Sequence, residues 1–343
     1  MITTPQIYCQ FLTNSHINYT NTYFAEHTET LSHDSINRFL AKSDLQPNLI
    51  WDKVKDLITW SPGGYLIFDD SVIDKNHSTK IETVYKQWSG NCHKVIRGIG
   101  LIGCIYYNPE LKESWLLNFR IYDKADKKSK IDHVLDMIDE AEIKKIEYST
   151  ALFDAAYANE KLLNKCNYYN KYFVCNTKKN RKICIVDPEL IGTKTYTKEY
   201  IELRTQNLES LEIGNQGVLV TFQNLRNQQV IKVFKSQVST DRIDYLITNQ
   251  LEIESLEEIL IINKCRWVIE QFHREIKQIT GIESCQCRRS NSQRNHICCS
   301  LLAWINFKNR YYNLGLTVYQ QKERLLSDYL RKEMANPSIP FIW

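Results

Sequence analysis

The segment CRWVIEQFHREIK, residues 265–277, places the strongest constraint on how this chain can fold. Arg266, Glu270 and Lys277 are four and seven positions apart, and at 3.6 residues per turn these spacings bring the three side chains to one side of a helix. Apolar residues beside that stripe can pack against a core: Val268, Ile269, Phe272, Ile276 and Ile279. The pattern predicts an amphipathic helix at the rim of a cleft. The alternative is a solvated face whose charges form spaced pairs.

Two apolar segments upstream each end in aspartate. YLIFDD predicts a buried strand over residues 65–68 that follows a Pro-Gly-Gly turn and ends in Asp69 and Asp70. IEYSTALFD predicts another strand over residues 148–153, with Asp154 beginning a turn into a helix. Taken singly, each aspartate could be a turn former or a helix N-cap.

Together with Glu270, these aspartates give carboxylates from three distant segments, each at a strand end or on an amphipathic helix. Carboxylate oxygen is the ligand that Mg²⁺ and Mn²⁺ prefer. Two such ions a few ångströms apart can activate a nucleophile and stabilise a leaving oxygen in phosphodiester chemistry. The set therefore predicts a divalent-metal site built from distant parts of the chain.

These motifs, in this order, resemble the DDE transposases of bacterial insertion sequences. The most similar branch has its third acid in a helix written Tyr, two residues, Arg, three residues, Glu, six residues, Lys. Arg266, Glu270 and Lys277 match that motif, whereas Asn263 occupies the tyrosine position. In the family this tyrosine helps to hold the transposon end near the active site, so the departure leaves that contact open. The similarity covers residues 61–309.

The resemblance also assigns the two aspartate motifs. The family's first acid stands in a strand and is followed by a small residue and Ser or Thr, which matches Asp69, Asp70 and Ser71. Asp69 is preferred as the ligand, and Asp70 remains the alternative, because strand alternation lets only one of two neighbours point at the site. Asp154 matches the family's second acid.

The fold that the resemblance implies is α/β, a ribonuclease H-like mixed sheet flanked by helices. The catalytic core would comprise residues 61–177 and 251–315, interrupted by a β-rich insertion at 178–250. A small helical DNA-binding domain would occupy residues 1–60, and a loosely held C-terminal tail residues 316–343. The residue pattern by itself supports a mixed α/β class.

Local patterns agree with this organisation. In the first 60 residues, an N-cap at Asp34 or Ser35 and a second helix over residues 48–59 suit a helix-turn-helix that contacts DNA, although short helix pairs are common in other proteins. Residues 97–108 and 114–122 read as a hairpin, and the residues that follow show helical spacing of apolar positions.

Basic residues in three segments are the predicted contacts to DNA phosphates, which would fix position rather than sequence. Solvated charged turns are the alternative interpretation of the same residues. The predicted contacts are Arg266, Arg274 and Lys277 beside the glutamate, Lys178, Lys179, Arg181 and Lys182 in the insertion, and Arg288, Arg289 and Arg294 ahead of the last helix.

Composition limits the other functional classes. A net charge of +4 permits nucleic-acid binding without requiring it, and no apolar run reaches the ~18 residues of a membrane span. The amino terminus lacks a secretory pattern, so a cytoplasmic, nucleoid-associated location is expected. The 11 cysteines show no CxxC spacing and are expected to be reduced, and His273 and His296 are expected to be core or surface residues rather than metal ligands.

The function implied by the resemblance is cutting and joining of DNA at the ends of an insertion sequence. Asp69, Asp154 and Glu270 would hold Mg²⁺, for which Mn²⁺ would substitute. The partners would be double-stranded DNA, both terminal inverted repeats and target, bound by a homodimer and without a membrane. Two alternatives are a nuclease of the same fold that cuts without joining, and an inactive, domesticated DNA-binding protein.

Overall fold

The computed structural model describes residues 2–90, 92–191, 193, 196–222, 225, 229–312 and 314–339. Its main feature is one mixed β-sheet with helices against it. The strands are β1 (Tyr65–Asp74), β2 (Tyr85–Ser89), β3 (Lys94–Asn108), β4 (Glu113–Tyr122), β5 (Thr150–Phe153), β6 (Tyr172–Thr177), β7 (Lys182–Ile185), β8 (Gln206–Asn207), β9 (Val218–Thr221), β10 (Ile231–Ser239) and β11 (Arg242–Thr248). The α-helices are α1 (Pro5–Asn14), α2 (Asn21–Glu26), α3 (His33–Lys42), α4 (Asn48–Val54), α5 (Lys130–Ile143), α6 (Glu160–Tyr168), α7 (Lys198–Leu203), α8 (Leu256–Lys264), α9 (Trp267–Ile279), α10 (Ser290–Tyr312) and α11 (Val318–Ala335).

The order of the central strands confirms the predicted fold class. β3 lies antiparallel between β1 and β4, while β5 pairs parallel with β1 on one side and with β6 on the other. Three antiparallel strands, a crossover helix and two parallel strands form the ribonuclease H-like arrangement. Because α5 makes the crossover to the parallel strand β5, the two sides of β1 carry different kinds of neighbour.

The first aspartate motif lies inside a strand rather than after its end, which corrects the prediction of a strand confined to residues 65–68. Pairing of β1 with β3 continues through Asp69 and Asp70 to Asp74, whereas its parallel pairing with β5 stops at Phe68. The longer strand follows from a partner, β3, that has 15 residues. Asp69 and Asp70 therefore lie in the part of β1 that is paired with β3 but no longer with β5.

The insertion extends the same sheet. β11 pairs antiparallel with β6, and β10 and β9 continue outward from it. These strands match the predicted β-rich content between the second and third acids. The sheet edge of the core is thus covered by the insertion, which brings the β10–β11 hairpin beside β6.

The first four helices share the main hydrophobic core with the sheet, and α1 and α3 pack on α10. The helix predicted to begin near Asp34 starts at His33, because the Ser32 side chain accepts a hydrogen bond from the Ser35 amide and so acts as the N-cap. The second predicted helix ends early, at Val54. DNA binding by this part remains a prediction.

The predicted C-terminal tail is wrong for residues 318–335, which form α11. A capping box of Thr317 and Gln320 starts the helix, and the buried Lys322 ammonium donates to the carbonyls of Thr13 and Ser15 at 2.6 and 2.5 Å. Long-range hydrogen bonds hold the first half of this segment. Across the described residues, none of the helices has an apolar stretch long enough to cross a membrane. All 11 cysteines are unpaired thiols.

Candidate active site

Asp69 and Asp154 occupy equivalent positions on neighbouring parallel strands. Phe68 of β1 and Phe153 of β5 are register partners, and the next residue of each strand is the aspartate. Adjacent strands lie about 4.8 Å apart, so the two acids begin close together. The Asp154 carboxylate accepts a hydrogen bond from the Ala156 amide at 3.2 Å, which turns the chain away from the sheet.

Glu270 lies in the first turn of α9, which covers this part of the sheet. Gly103 of β3 is the register partner of Asp69, and a Cβ at Gly103 would lie 3.6 Å from atoms of Ile269 and Phe272 on α9. Directly opposed residues of an antiparallel pair point to the same face. Asp69 therefore faces the helix that carries Glu270.

One guanidinium joins two of the acids. The Arg266 Nη2 atom lies 2.7 Å from Glu270 Oε1, and its Nη1 atom lies 3.6 Å from Asp69 Oδ2. The Arg266 side chain is 22% exposed, so the contact is largely withdrawn from solvent. Asp69 and Glu270 are 201 positions apart in the sequence, yet both contact the Arg266 guanidinium.

Asp70 lines the same cleft as Asp69 but has different partners. Its carboxylate accepts hydrogen bonds from Lys130 Nζ and from Tyr157 Oη, both at 2.6 Å. Lys130 begins α5, and Tyr157 belongs to the turn after Asp154. The contacts therefore distinguish the two aspartates: Asp70 ties two neighbouring segments to β1, whereas Asp69 shares the Arg266 guanidinium with Glu270.

Burial and neighbouring negative charge both raise the pKa of Asp69. Burial, followed by the charge of Asp70, raises the pKa of Asp69 from its ordinary 3.8 to about 7, and the Asp154 charge acts in the same direction. The Asp70 amide and the Arg266 guanidinium oppose the shift. A carboxyl group with such a pKa costs free energy to ionise, and a cation placed among these acids would lower that cost.

His273 lies under the acids on α9 and is fully buried. Burial, followed by the charge of Lys277, lowers the pKa of His273 to about 3, so this imidazole is neutral. Its Nε2 atom has no hydrogen-bond partner among the described residues. Of the two placements expected for His273, core or surface, the structure shows the core.

The three acids line one cleft of about 990 Å³. Six segments contribute to its wall: β1, the β2–β3 hairpin, the start of α5, the β5–α6 connection, the β10–β11 hairpin and α9. The lining comprises Asp69, Asp70, Ser71, Val72, Trp88, Ser89, Gly90, His93, Ser129, Lys130, Ile131, Asp154, Ala156, Tyr157, Arg242, Arg266, Glu270, His273 and Arg274.

The donor set of the cleft suits a hard divalent cation, because it consists of carboxylate oxygens. Within the described parts of the chain, no three His, Cys, Asp or Glu side chains are arranged as a formed metal site. The Arg266 guanidinium contacts both Asp69 and Glu270. A cation held by both carboxylates would take over the charge that Arg266 now neutralises.

The predicted DNA contacts divide into three groups. Arg266 and Arg274 line the cleft with the acids. Lys178, Lys179, Lys182, Arg288 and Arg289 are exposed elsewhere and stay predictions. The remaining three are Lys277, Arg181 and Arg294, and each is engaged within the fold.

Lys277 shows how such engagement occurs. It is 14% exposed, donates to the Val72 carbonyl at 2.7 Å and lies 3.5 Å from a Glu283 oxygen, so it fastens α9 to β1. Arg181 pairs with Glu160 at 2.8 Å, and Arg294 pairs with an aspartate of the β4–α5 connection at 2.9 Å. Lys277 was predicted to contact DNA from the family motif, and Arg181 and Arg294 from their basic segments, but all three have partners within the fold.

Sequence patterns gave no indication of several cleft residues. Lys130 and Arg242 lie in ordinary charged segments, and the exposed Trp88 belongs to β2, a strand that was not predicted. Tyr157 could have been noticed, because it stands three residues after Asp154 in the aspartate motif. The others reach the cleft only through long-range pairing.

A second cavity, of about 560 Å³, lies between the α3–α4 connection, β4, α5 and α10. Its two arginines are neutralised inside the fold, Arg120 by Glu140 and Arg294 by Asp123. None of the three predicted acids lines it. This cavity is therefore separate from the site that the acids form.

Most of the chain matches the model of a known protein family. The family model described as a transposase DDE domain matches residues 61–306, which is more than half of the chain and includes all three acids. No curated protein matches the sequence.

Three solved structures are similar to the chain. They are a piggyBac transposase synaptic complex with hairpin DNA (12% identity, 98% of this chain and 72% of that chain covered, TM-score 0.49), endonuclease V of Ciona intestinalis in complex with a 24mer DNA containing an inosine followed by a ribo-adenosine (14%, 68% and 97%, 0.29), and the NurA nuclease from Sulfolobus solfataricus (10%, 89% and 94%, 0.26). These identities and TM-scores are too low to transfer function to this chain.

Proposed function

The chain belongs to the transposase DDE domain family and cuts and joins DNA, and on that premise we propose that Asp69, Asp154 and Glu270 are its catalytic carboxylates. The observation that carries the proposal is the Arg266 guanidinium, which contacts both Asp69 and Glu270. The pairing of β1 with β5 brings Asp154 to the same place. Asp69, Asp154 and Glu270 all line the cleft of about 990 Å³.

DDE transposases generally depend on divalent metal ions. We propose that Asp69, Asp154 and Glu270 hold Mg²⁺, with Mn²⁺ as a substitute, in a two-metal site. Bound there, the metal supplies Lewis acidity to the attacking and leaving oxygens of the phosphodiester. Asp70 is proposed as a support for the site and not as a ligand, because Lys130 and Tyr157 occupy its carboxylate.

The cations of the cleft have different proposed roles. Arg266 holds Asp69 and Glu270 in place, and it can turn to a DNA phosphate once another cation neutralises these acids. Arg274 is exposed beside the acids and is proposed to contact a phosphate directly. Lys277 instead positions α9 through the Val72 carbonyl.

The proposed substrate is double-stranded DNA at the ends of the element, where terminal inverted repeats would be bound, followed by target DNA. A homodimer would hold two ends together, and the protein would act at the nucleoid. The net charge of +4 agrees with a DNA partner but does not identify the sequence that is bound.

The test uses a plasmid that carries the sequences flanking the gene, incubated with Mg²⁺ and analysed for cleavage on gels. Glu270→Gln, Asp69→Asn and Asp154→Asn should each lower the cleavage rate by at least about 100-fold, because each removes a charged oxygen from the site. DNA affinity, measured by fluorescence anisotropy, should stay within a few-fold of wild type.

Glu257→Gln is the matched control. Glu257 is exposed in the first turn of α8, as Glu270 is placed in the first turn of α9, but it lies outside the cleft. Its cleavage rate should equal that of wild type. Cleavage by the Glu270→Gln protein at the wild-type rate would refute the assignment, and a wild-type protein that binds but never cleaves with Mg²⁺ or Mn²⁺ would favour the domesticated alternative.

A further inference from the structure

Arg242 is a cleft residue that comes from the insertion rather than from the catalytic core. It is the first residue of β11, at the turn of the β10–β11 hairpin, and it lines the same cleft as Asp154 and Glu270. The side chain is 67% exposed, so the guanidinium is open to a molecule that enters the cleft.

The cations of the cleft differ in the carboxylates that they contact. Lys130 is bound to Asp70, and Arg266 is bound to Asp69 and Glu270. These two cations are therefore used to balance the acids of the site. Among the lysines and arginines that line the cleft in the described residues, Arg242 and Arg274 lie outside this acid network, and Arg242 is paired instead with Asp244.

The guanidinium of Arg242 is held in a fixed orientation. Its Nε and Nη2 atoms both donate to the Asp244 carboxylate at 2.9 Å. Asp244 also accepts a hydrogen bond from Asn176 Nδ2 of β6 at 3.3 Å, and its side chain is 21% exposed. β6 is the neighbour of the strand that carries Asp154, so the core sheet itself orients this arginine.

The remaining N–H groups of Arg242 have no acceptor among the described residues. A planar guanidinium suits a phosphate, because its N–H groups form a fork that matches two phosphate oxygens. Orientation in advance reduces the side-chain entropy lost when the phosphate binds. An ion pair exposed to this degree adds little to stability, which makes a purely structural role a poor explanation for the arrangement.

We propose that Arg242 donates to a backbone phosphate of DNA bound in the cleft and that Asp244 is the positioning residue for this contact. The inference rests on the proposed function, and it adds a substrate contact that the insertion makes inside the cleft itself. The contact is made to phosphate and is therefore independent of DNA sequence.

The experiment measures the Kd of a fluorescein-labelled random-sequence DNA duplex by anisotropy over a range of salt concentrations. Each phosphate contact contributes about 0.9 to the slope of log Kd against log salt concentration. Arg242→Gln should lower that slope by about 1 and weaken binding at low salt. Arg242→Lys should restore the slope, because lysine keeps the charge.

Arg331→Gln is the control, since Arg331 is 78% exposed, is hydrogen-bonded to Asp328 and lies on α11 away from the cleft. It should leave the slope unchanged. A wild-type slope for Arg242→Gln, or an equal loss for Arg331→Gln, would overturn the contact. Melting temperatures of both variants should match that of wild type.

Asp244 needs a readout that a structural role would not change. Asp244→Asn keeps the charge of Arg242, so the salt slope should persist while the plasmid cleavage rate falls roughly tenfold through misplacement of the phosphate. Asp244→Glu should recover part of that rate. A full cleavage rate for Asp244→Asn would remove Asp244 from the proposal. If the slope falls with Arg242→Gln but wild type cleaves no DNA, the proposed function fails and the phosphate contact stands.

Discussion

The cleft and the junction between α1, α3 and α10 treat buried polar groups in opposite ways. At the junction, Asn295 donates to the carbonyls of Leu40 and Ser43 at 2.8 and 2.6 Å and accepts from the Leu45 amide at 3.0 Å. These groups are neutral, and the hydrogen bonds satisfy them. The next residue of α10, His296, is also neutral and hydrogen-bonded.

At the cleft, ionisable groups of like charge share one region and only part of that charge is balanced. Asp69 has a pKa raised to about 7, and the Arg266 guanidinium serves both Asp69 and Glu270. Neutral networks stabilise the folded chain because no charge is desolvated, whereas crowded carboxylates lower its stability. The comparison indicates that the cleft is retained for its chemistry, and the junction for the attachment of the first helices.

Removing the junction's central side chain should have the largest effect on stability. Asn295→Ala breaks three hydrogen bonds and leaves buried backbone groups without partners, at a cost of about 4 kcal/mol in the free energy of unfolding. Chemical denaturation measures the change. Gln46→Ala, at an exposed position of the nearby α3–α4 connection, should cost less than about 0.5 kcal/mol. Wild-type stability for Asn295→Ala would contradict the importance of this network.

Removing the Asp69 carboxylate from the cleft should instead raise the free energy of unfolding. Asp69→Asn removes a carboxylate whose pKa is raised from 3.8 to about 7. Because the folded state binds this proton more tightly than the unfolded state, wild type loses stability as the pH rises from about 4 to about 7. Asp69→Asn should therefore be more stable than wild type by roughly 2–4 kcal/mol at pH 8.

The measurement is thermal or chemical unfolding in EDTA at several pH values, so that metal binding does not contribute. The advantage of Asp69→Asn should shrink as the pH falls and disappear near pH 4, where both states of wild type carry the proton. A constant difference across this range would show that the substitution acts through packing rather than through ionisation.

Local patterns in the sequence were enough to predict the acids and the elements that carry them. The apolar run before Asp69 and the helical spacing around Glu270 are encoded by neighbours in the chain, and the structure places both in β1 and α9. The prediction that the acids follow the end of β1 failed, because strand length depends on pairing with β3. That pairing is a property of two distant segments.

Cation roles were less predictable for the same reason. A basic residue looks alike in the sequence whether it faces DNA or a carboxylate of its own chain. Lys277 matched the family motif yet donates to the Val72 carbonyl, whereas Arg242 lay in an unremarked hairpin and reaches the cleft. The different positions of Arg242 and Lys277 follow from long-range contacts: the pairing of β11 with β6, and the packing of α9 on β1.

The smallest of the three stability effects concerns the pH dependence of the junction. His296 is fully buried; its Nδ1 atom lies 2.9 Å from Tyr8 Oη and its Nε2 atom lies 3.1 Å from the Gly281 carbonyl. Because a carbonyl can only accept, Nε2 carries the hydrogen and Nδ1 accepts from the tyrosine hydroxyl. In the folded protein His296 is therefore neutral, with its hydrogen on Nε2.

Burial, followed by the charge of Lys75, lowers the pKa of His296 from 6.5 to about 3. The unfolded chain takes up a proton near pH 6.5 that the folded chain refuses, so stability is lost as the pH falls below about 6.5. Between pH 6.5 and 5 this histidine should lower the free energy of unfolding by about 1–2 kcal/mol.

His296→Gln keeps a hydrogen-bonding side chain that does not take up this proton, so its free energy of unfolding should depend less steeply on pH. The steepness should fall by about one proton relative to wild type, even if the variant is less stable at every pH. An unchanged steepness would mean that His296 takes up its proton in the folded junction, and the contrast between a neutral junction and a charged cleft would then fail.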